Sequence, residues 1–341
     1  MSVGSPRRRF ALDPERWRPR PDGPRWLYAE PGRLRALWRL TVFGLAIAVA
    51  PLIVTGFIAP LFGLISRAVG EPVAAYPWIT LVSVLASTAL ALRLVDDAPW
   101  SAVAMGQGSW SPRLLSIGLL LGSAAILATM ALLWLTASAR FETTSSAFAD
   151  AASMGDWWAT AARVTARLAP AALWEELLFR GYLWTVASDA GGVRVARWST
   201  AVAFGAVHLL NPGAGVLSTL LVMIAGLSLG MIRERTNSMG ATWLAHLAWN
   251  WIMAAVLHVP VSGLLFDTPL YRTVVSGPSW WTGGAWGPEG GVAALCVLVG
   301  ALLWDARRRV AVPSIAEKDV AVPTPSLVMS ATGRTDAREI K

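Results

Sequence analysis

The chain has 341 residues, of which 55% are hydrophobic and only 15% charged, and its mean hydropathy is +0.51. Soluble domains carry about 25% charged residues, so this composition excludes an ordinary globular protein and implies a polytopic membrane protein. The formal net charge of +8 does not imply a nucleic-acid partner, because the arginines cluster at the ends of apolar runs, as the positive-inside rule requires.

Residues 1–36 are rich in arginine and proline and predict a basic cytoplasmic tail lying on anionic headgroups. Residues 37–140 hold three apolar windows, 40–66, 72–92 and 114–139, each reaching the about 20 residues that span a bilayer. They read as scaffold without chemistry. The first is too long for a cleavable signal and reads as a retained signal anchor. A charged turn at 93–99 and basic residues such as Arg39 belong to the cytoplasmic side. From 141 to 167 the sequence is polar and mixed, with Trp157 and Trp158 as an interfacial pair.

The segment around Glu175 is a fourth pass. The window 198–232 lacks formal charge and is long enough for two more, broken at Asn211-Pro212-Gly213. Windows 239–258 and 291–304 complete an all-α bundle of about eight transmembrane helices in the cell (inner or plasma) membrane, with both termini cytoplasmic. Residues 261–310 comprise an extracytoplasmic loop and the last helix. In that loop Trp280, Trp281 and Trp286 predict an aromatic anchor at the interface. The single Cys296 rules out a disulfide framework and is assigned to packing in the last helix. Residues 311–341 read as a disordered cytoplasmic tail.

Ionisable groups inside apolar segments are costly and mark function. Glu175 and Glu176 stand side by side in Ala171-Ala172-Leu173-Trp174-Glu175-Glu176-Leu177-Leu178-Phe179-Arg180. Residues four apart share a helix face, so Glu176 can pair with Arg180, while Glu175, about 100° round the helix, has no partner there. An unpaired carboxylate in apolar surroundings suits a general base. His208 shares a face with Phe204, and His246 shares one with Asn250, an arrangement that suits stabilisation of an oxyanion. Each has a plainer alternative: salt bridges for the glutamates, packing for His208, interhelical hydrogen bonding for His246 and Asn250. At 1.5 Å rise per residue, His246 lies about 10 Å inside its helix end and Glu175 and His208 about 20 Å inside theirs, so the groups could meet in one cavity. His258 is assigned no role.

Taken together these residues resemble the CAAX protease and bacteriocin-processing family, also called Abi, of intramembrane proteases. Its pattern is Glu-Glu-x-x-x-Arg, Phe-x-x-x-His and His-x-x-x-Asn, matched here by Glu175, Glu176 and Arg180, by Phe204 and His208, and by His246 and Asn250. The resemblance covers a protease core at about 155–260. It implies an eight-helix peptidase whose type members remove the last three residues of prenylated CAAX proteins. It further implies that Glu175 and His208 activate water, that His246 and Asn250 hold the oxyanion, and that Glu176, Arg180 and Phe204 support them. Glu175, His208 and His246 would also suit a His₂Glu zinc. The chain lacks His-Glu-x-x-His, and a glutamate with a histidine suffices for base catalysis, so the metal-free reading is preferred. The expected partners are the lipid bilayer and a membrane-associated peptide or protein substrate. A catalytically idle immunity or partner protein and a proton-coupled transporter remain as alternatives.

Overall fold

The computed structural model describes residues 27–30, 33–143, 153–266 and 270–311, which are predominantly helical. The chain divides into two units, Met1–Leu302 and Leu303–Lys341, and the described part of the second is the C-terminal half of the last helix. Most of the basic tail and nearly all of the C-terminal tail lie outside the described residues. A short antiparallel pair, β1 (Tyr28–Glu30) and β2 (Arg33–Leu34), precedes the first helix.

Helix α1 (Ala36–Val69) has 34 residues, about 50 Å at 1.5 Å each, more than the about 30 Å of hydrocarbon in a bilayer. Only Arg39 and Phe43 of α1 are buried, and an exposed apolar surface of this length is the pattern of a lipid-facing span. Helices α2 (Tyr76–Leu94) and α3 (Pro112–Leu135) each carry a proline in the first turn, where its missing N–H leaves no bond unmade. Among the described residues, α1, α2, α3 and α6 (Val216–Thr236) are long and apolar enough to cross a membrane. The other expected passes correspond to helices that are shorter, bent or more polar. They are α4 (Met154–Glu176), α5 (Leu183–Val207), α7 (Met239–Trp251) and α9 (Val292–Ala311).

The polar stretch expected at 141–167 is helix from Met154 onward. A capping box opens it: the Ser153 hydroxyl accepts the Asp156 N–H, and the Asp156 carboxylate accepts the Ser153 N–H. Trp157 is no simple interfacial residue, because it donates Nε1–H to the Ala255 carbonyl at 3.1 Å and packs against the core. Trp158 is exposed, as an interfacial residue would be.

Two features place the functional segments. Gly192 breaks α5 with φ 80° and ψ 172°, a conformation open to glycine, and the chain reverses there. Phe179 and Phe204, nearly equidistant in sequence from Gly192, meet with ring centroids 5.3 Å apart. The second feature is the close crossing of α3 and α7. A Cβ on Gly118 would stand 2.1 Å from the Ala241 carbonyl oxygen, and one on Gly122 would stand 2.0 Å from that of Ala245. Small residues four apart on both helices permit this backbone contact, a device of membrane helix pairs.

Arg39, counted on the cytoplasmic side, is buried. Its Nη2 donates to Asp96 at 3.0 Å and its Nη1 to Asp189 at 2.9 Å, tying α1 to the end of α2 and to α5. The segment 257–291 also departs from an open loop. Its strand β4 (Tyr271–Val275) pairs antiparallel with β3 (Ala139–Thr143), and a single turn, α8 (Ser279–Thr282), follows. Arg140 and Arg272 both donate to Glu142 across this pair and hold its carboxyl below the usual range. Trp286, expected at the interface, is buried with Phe179, Phe204 and Val222. Trp281 donates to the Thr136 hydroxyl at 3.2 Å, whereas Trp280 is exposed. Cys296 is exposed as well, so the expectation that it packs inside fails.

Candidate active site

Glu175 and Glu176 are the last two residues of α4, and a π-helical turn, Leu177–Tyr182, follows directly. Such turns are rare and concentrate at functional sites. Within it Arg180 donates Nη1–H to Glu176 Oε1 at 3.0 Å, with both side chains fully buried. Helix α6 braces the turn from both directions. Arg180 Nη2 donates to the Gly226 carbonyl at 3.1 Å, and Arg233 Nε donates to the Arg180 carbonyl at 3.0 Å. The Arg180 guanidinium also lies over the Phe204 ring, 4.3 Å from its centroid.

His246 is delivered to this pair by the α3–α7 crossing, since it directly follows Ala245. Its Nδ1 lies 2.8 Å from Glu176 Oε1, and a carboxylate can only accept, so Nδ1 carries the hydrogen. His208 opens the 3₁₀ turn His208–Leu210 that ends α5. Its Nδ1 lies 2.7 Å from the Phe204 carbonyl, which fixes the same tautomer. Phe204 touches both rings, with centroids 4.6 Å from His208 and 5.9 Å from His246.

Both imidazoles therefore direct Nε2 at one place, and Glu175 faces it. Glu175 Oε2 lies 3.9 Å from Nε2 of His208 and 3.9 Å from Nε2 of His246. The Glu175 side chain is 17% exposed while that of Glu176 is 0% exposed, so of the two carboxylates Glu175 is the one open to a ligand. Acceptors do not hydrogen-bond one another, and the shared space suits a species that brings protons, such as water. Asn250 lines the same cavity as His208, His246 and Phe204, a space of about 130 Å³ walled by α3, α6 and α7. Glu175, His208 and His246 thus come together around one point, and Asn250 lines the cavity that both histidines share.

Zinc ligands at about 2.0–2.1 Å in a tetrahedron stand about 3.4 Å apart. The 3.9 Å separations of Glu175 from His208 and His246 are wider, and among the described residues no group of three or more His, Cys, Asp or Glu is placed to hold a metal ion. To hold zinc, Glu175 would have to approach each imidazole by about 0.5 Å.

Sequence reasoning missed two contributions. Gly118-x-x-x-Gly122 was legible as a small-residue pair and sets the position of His246. Glu289 and Ser262 also line the cavity, and no local motif announces them.

Residues 156–252 match the family model described as type II CAAX prenyl endopeptidase Rce1-like. No curated protein and no solved structure matches the chain. The matched segment holds every residue of the three motifs, and with the apolar helices it identifies a membrane protein of peptidase type. Over residues 156–252 the chain is similar to the Rce1-like type II CAAX prenyl endopeptidases.

Proposed function

We propose that the protein is an intramembrane endopeptidase in which Glu175 and His208 activate water against a peptide bond of a membrane-associated substrate. The observation that carries this reading is the placing of Glu175 Oε2 3.9 Å from both imidazole Nε2 atoms. Water in that space donates one proton toward Glu175 and one toward the lone pair of His208 Nε2. The Phe204 carbonyl keeps His208 in the tautomer that leaves this lone pair free. Loss of the proton to the carboxylate makes the water oxygen nucleophilic at the substrate carbonyl.

His246 differs from His208 in the group behind it. With the Glu176 carboxylate accepting its Nδ1–H, the ring can take up a second proton as imidazolium, and its Nε2–H then donates to the oxyanion. Asn250, one turn further along α7, supplies the second donor. Glu176 and Arg180, both fully buried, hold these groups without touching substrate, and Phe204 braces both rings while lining the cavity. The proposed chemistry needs no metal.

The proposed topology has eight passes, formed by α1, α2, α3, α4, the second half of α5, α6, α7 and α9. Arginine placement puts both termini in the cytoplasm of a cell whose inner or plasma membrane holds the bundle. The substrate is a membrane-associated peptide or protein, with no nucleic acid involved.

The test is purified full-length Glu175→Gln in detergent, shown by melting to be folded, against a library of hydrophobic peptides read by mass spectrometry. General-base loss lowers kcat by about 10²- to 10⁴-fold. Cleavage at the parental rate would sink the proposal.

A further inference from the structure

The cavity beside His246 and Asn250 contains a carboxylate that the three motifs do not use. Glu289 sits in the 3₁₀ turn Pro288–Gly290, beyond the matched 156–252. Its Oε1 accepts the Ser262 N–H and the Ser262 hydroxyl, each at 2.6 Å, and its Oε2 accepts Trp249 Nε1–H at 3.0 Å. The backbone is bent to bring it there. Ser262 has φ 50° and Gly287 φ 107°, and a Cβ on Gly287 would stand 2.0 Å from the Pro260 carbonyl oxygen.

Glu289 has neutral partners only. None of the ion pairs among the described residues includes it. A carboxylate offers about four acceptor positions, so three donors leave one on Oε2 unused. The rest of the wall around it is largely apolar, with Val222, Leu229, Ile232 and Leu298 among its residues. In such surroundings an acidic group attracts a cation far more strongly than in water.

Glu289 lines the same cavity as His246 and Asn250, and the indole it accepts from belongs to Trp249, which adjoins Asn250 in α7. A side chain that enters this cavity to reach Glu289 therefore belongs to a residue close to the bond held at His246 and Asn250.

We infer that Glu289 is a specificity-determining residue that receives a lysine or arginine side chain of the substrate, close to the scissile bond. The inference rests on the peptidase reading above and adds a substrate class, a hydrophobic peptide with a basic residue beside the cut. The apolar wall suits the methylene stem of such a side chain while its charged end meets the carboxylate.

The experiment uses the full chain in detergent micelles and hydrophobic peptides in which each position near the cut carries lysine, norleucine or glutamate. A charge-assisted hydrogen bond at one position gives wild type a kcat/KM preference for lysine over norleucine of at least about tenfold, with glutamate slowest. In Glu289→Gln the lysine-to-norleucine ratio falls to about one, and in Glu289→Asp, which keeps the charge, a lysine preference persists. A carboxylate that only ties the segment in place would slow all peptides alike and leave the ratio intact, which overturns the inference. Wild type that cleaves without preferring lysine overturns it too and spares the peptidase reading. Wild type that cleaves no peptide overturns both. If Glu289→Gln does not fold, the wild-type ratio and Glu289→Asp still decide.

Discussion

Glu176 and His246, 70 residues apart in the chain, share a 2.8 Å hydrogen bond, and the same carboxylate oxygen takes the Arg180 guanidinium at 3.0 Å. Three segments therefore converge on one oxygen, and the imidazole of α7 is held by a residue of α4. Replacing Glu176 by glutamine keeps the shape and removes the charge behind the ring. The expected outcome is a kcat about 10²-fold lower, the order seen when an oxyanion donor is lost, with KM nearly unchanged. Steady-state kinetics on the purified variant checks this. A change confined to KM would contradict the role given to His246.

Arg180 makes its two side-chain bonds with different nitrogens, one to Glu176 and one to the Gly226 carbonyl. Lysine has a single ammonium and cannot reproduce the fork. Arg180→Lys should lose activity and melt earlier. Arg180→Ala, which leaves Glu176 buried without a cation, should cost about 3–5 kcal/mol. Unfolding in mixed detergent measures both. Equal stability of wild type and Arg180→Ala would show that the pair does not hold the turn.

Gly122 lies against the Ala245 carbonyl, one residue before His246. Gly122→Val forces α3 and α7 apart, costs about 1–3 kcal/mol by overpacking and displaces the imidazole. Gly44→Val on α1, where a Cβ would meet nothing within 4 Å, serves as the control. Activity and melting temperature of the two variants should diverge, and similar behaviour would remove the α3–α7 crossing from the account.

Glu175, His208 and His246 are spaced more widely than zinc ligands. Hydrolysis should accordingly survive a strong chelator within about twofold, and elemental analysis should find well under about 0.1 zinc per chain, against the one per site of a structural or catalytic centre. Loss of activity that returns on adding zinc would reverse this conclusion.

Glu142 is held below the usual carboxylate range first by Arg140 and then by Arg272 on the paired strand. A lowered folded-state value gives stabilisation that is present above the unfolded value of 4.5 and fades as the pH drops through the folded one. Protection of the β3 and β4 amides, taken relative to their intrinsic exchange rate at each pH, should fall below that range in wild type. In Glu142→Gln that protection should be lower at neutral pH and lose this acid dependence. Identical acid profiles in the two proteins would contradict the pairing.

Much of the core was legible because periodicity and spacing act within single helices. Glu176 and Arg180, Phe204 and His208, and His246 and Asn250 are each four apart, and each pair shares a face as helical geometry requires. The break at 211–213 was legible from Asn-Pro-Gly. Trp286 and Glu289 were not, because positive φ angles at Ser262, Gly263 and Gly287 fold their segment inward, and no hydrophobic period records such angles. The burial of Arg39 was not legible either, because Asp96 and Asp189, which draw it inside, are remote in sequence. Cys296 was assigned by residue type alone, which cannot say which side of a helix faces outward.

The π turn at Leu177–Tyr182 carries the backbone equivalent of one surplus residue. Deleting Leu178 would let the segment relax into a regular helix with every amide satisfied, and would place Arg180 three residues after Glu176 instead of four, breaking the fork that holds the acid pair. The shortened chain should insert, show an undiminished helical circular-dichroism spectrum and remain inert, whereas retained hydrolysis would mean that the bulge does not aim the acids. A single inserted residue is thus enough to turn a plain spanning helix into one with a bulge behind its acid pair.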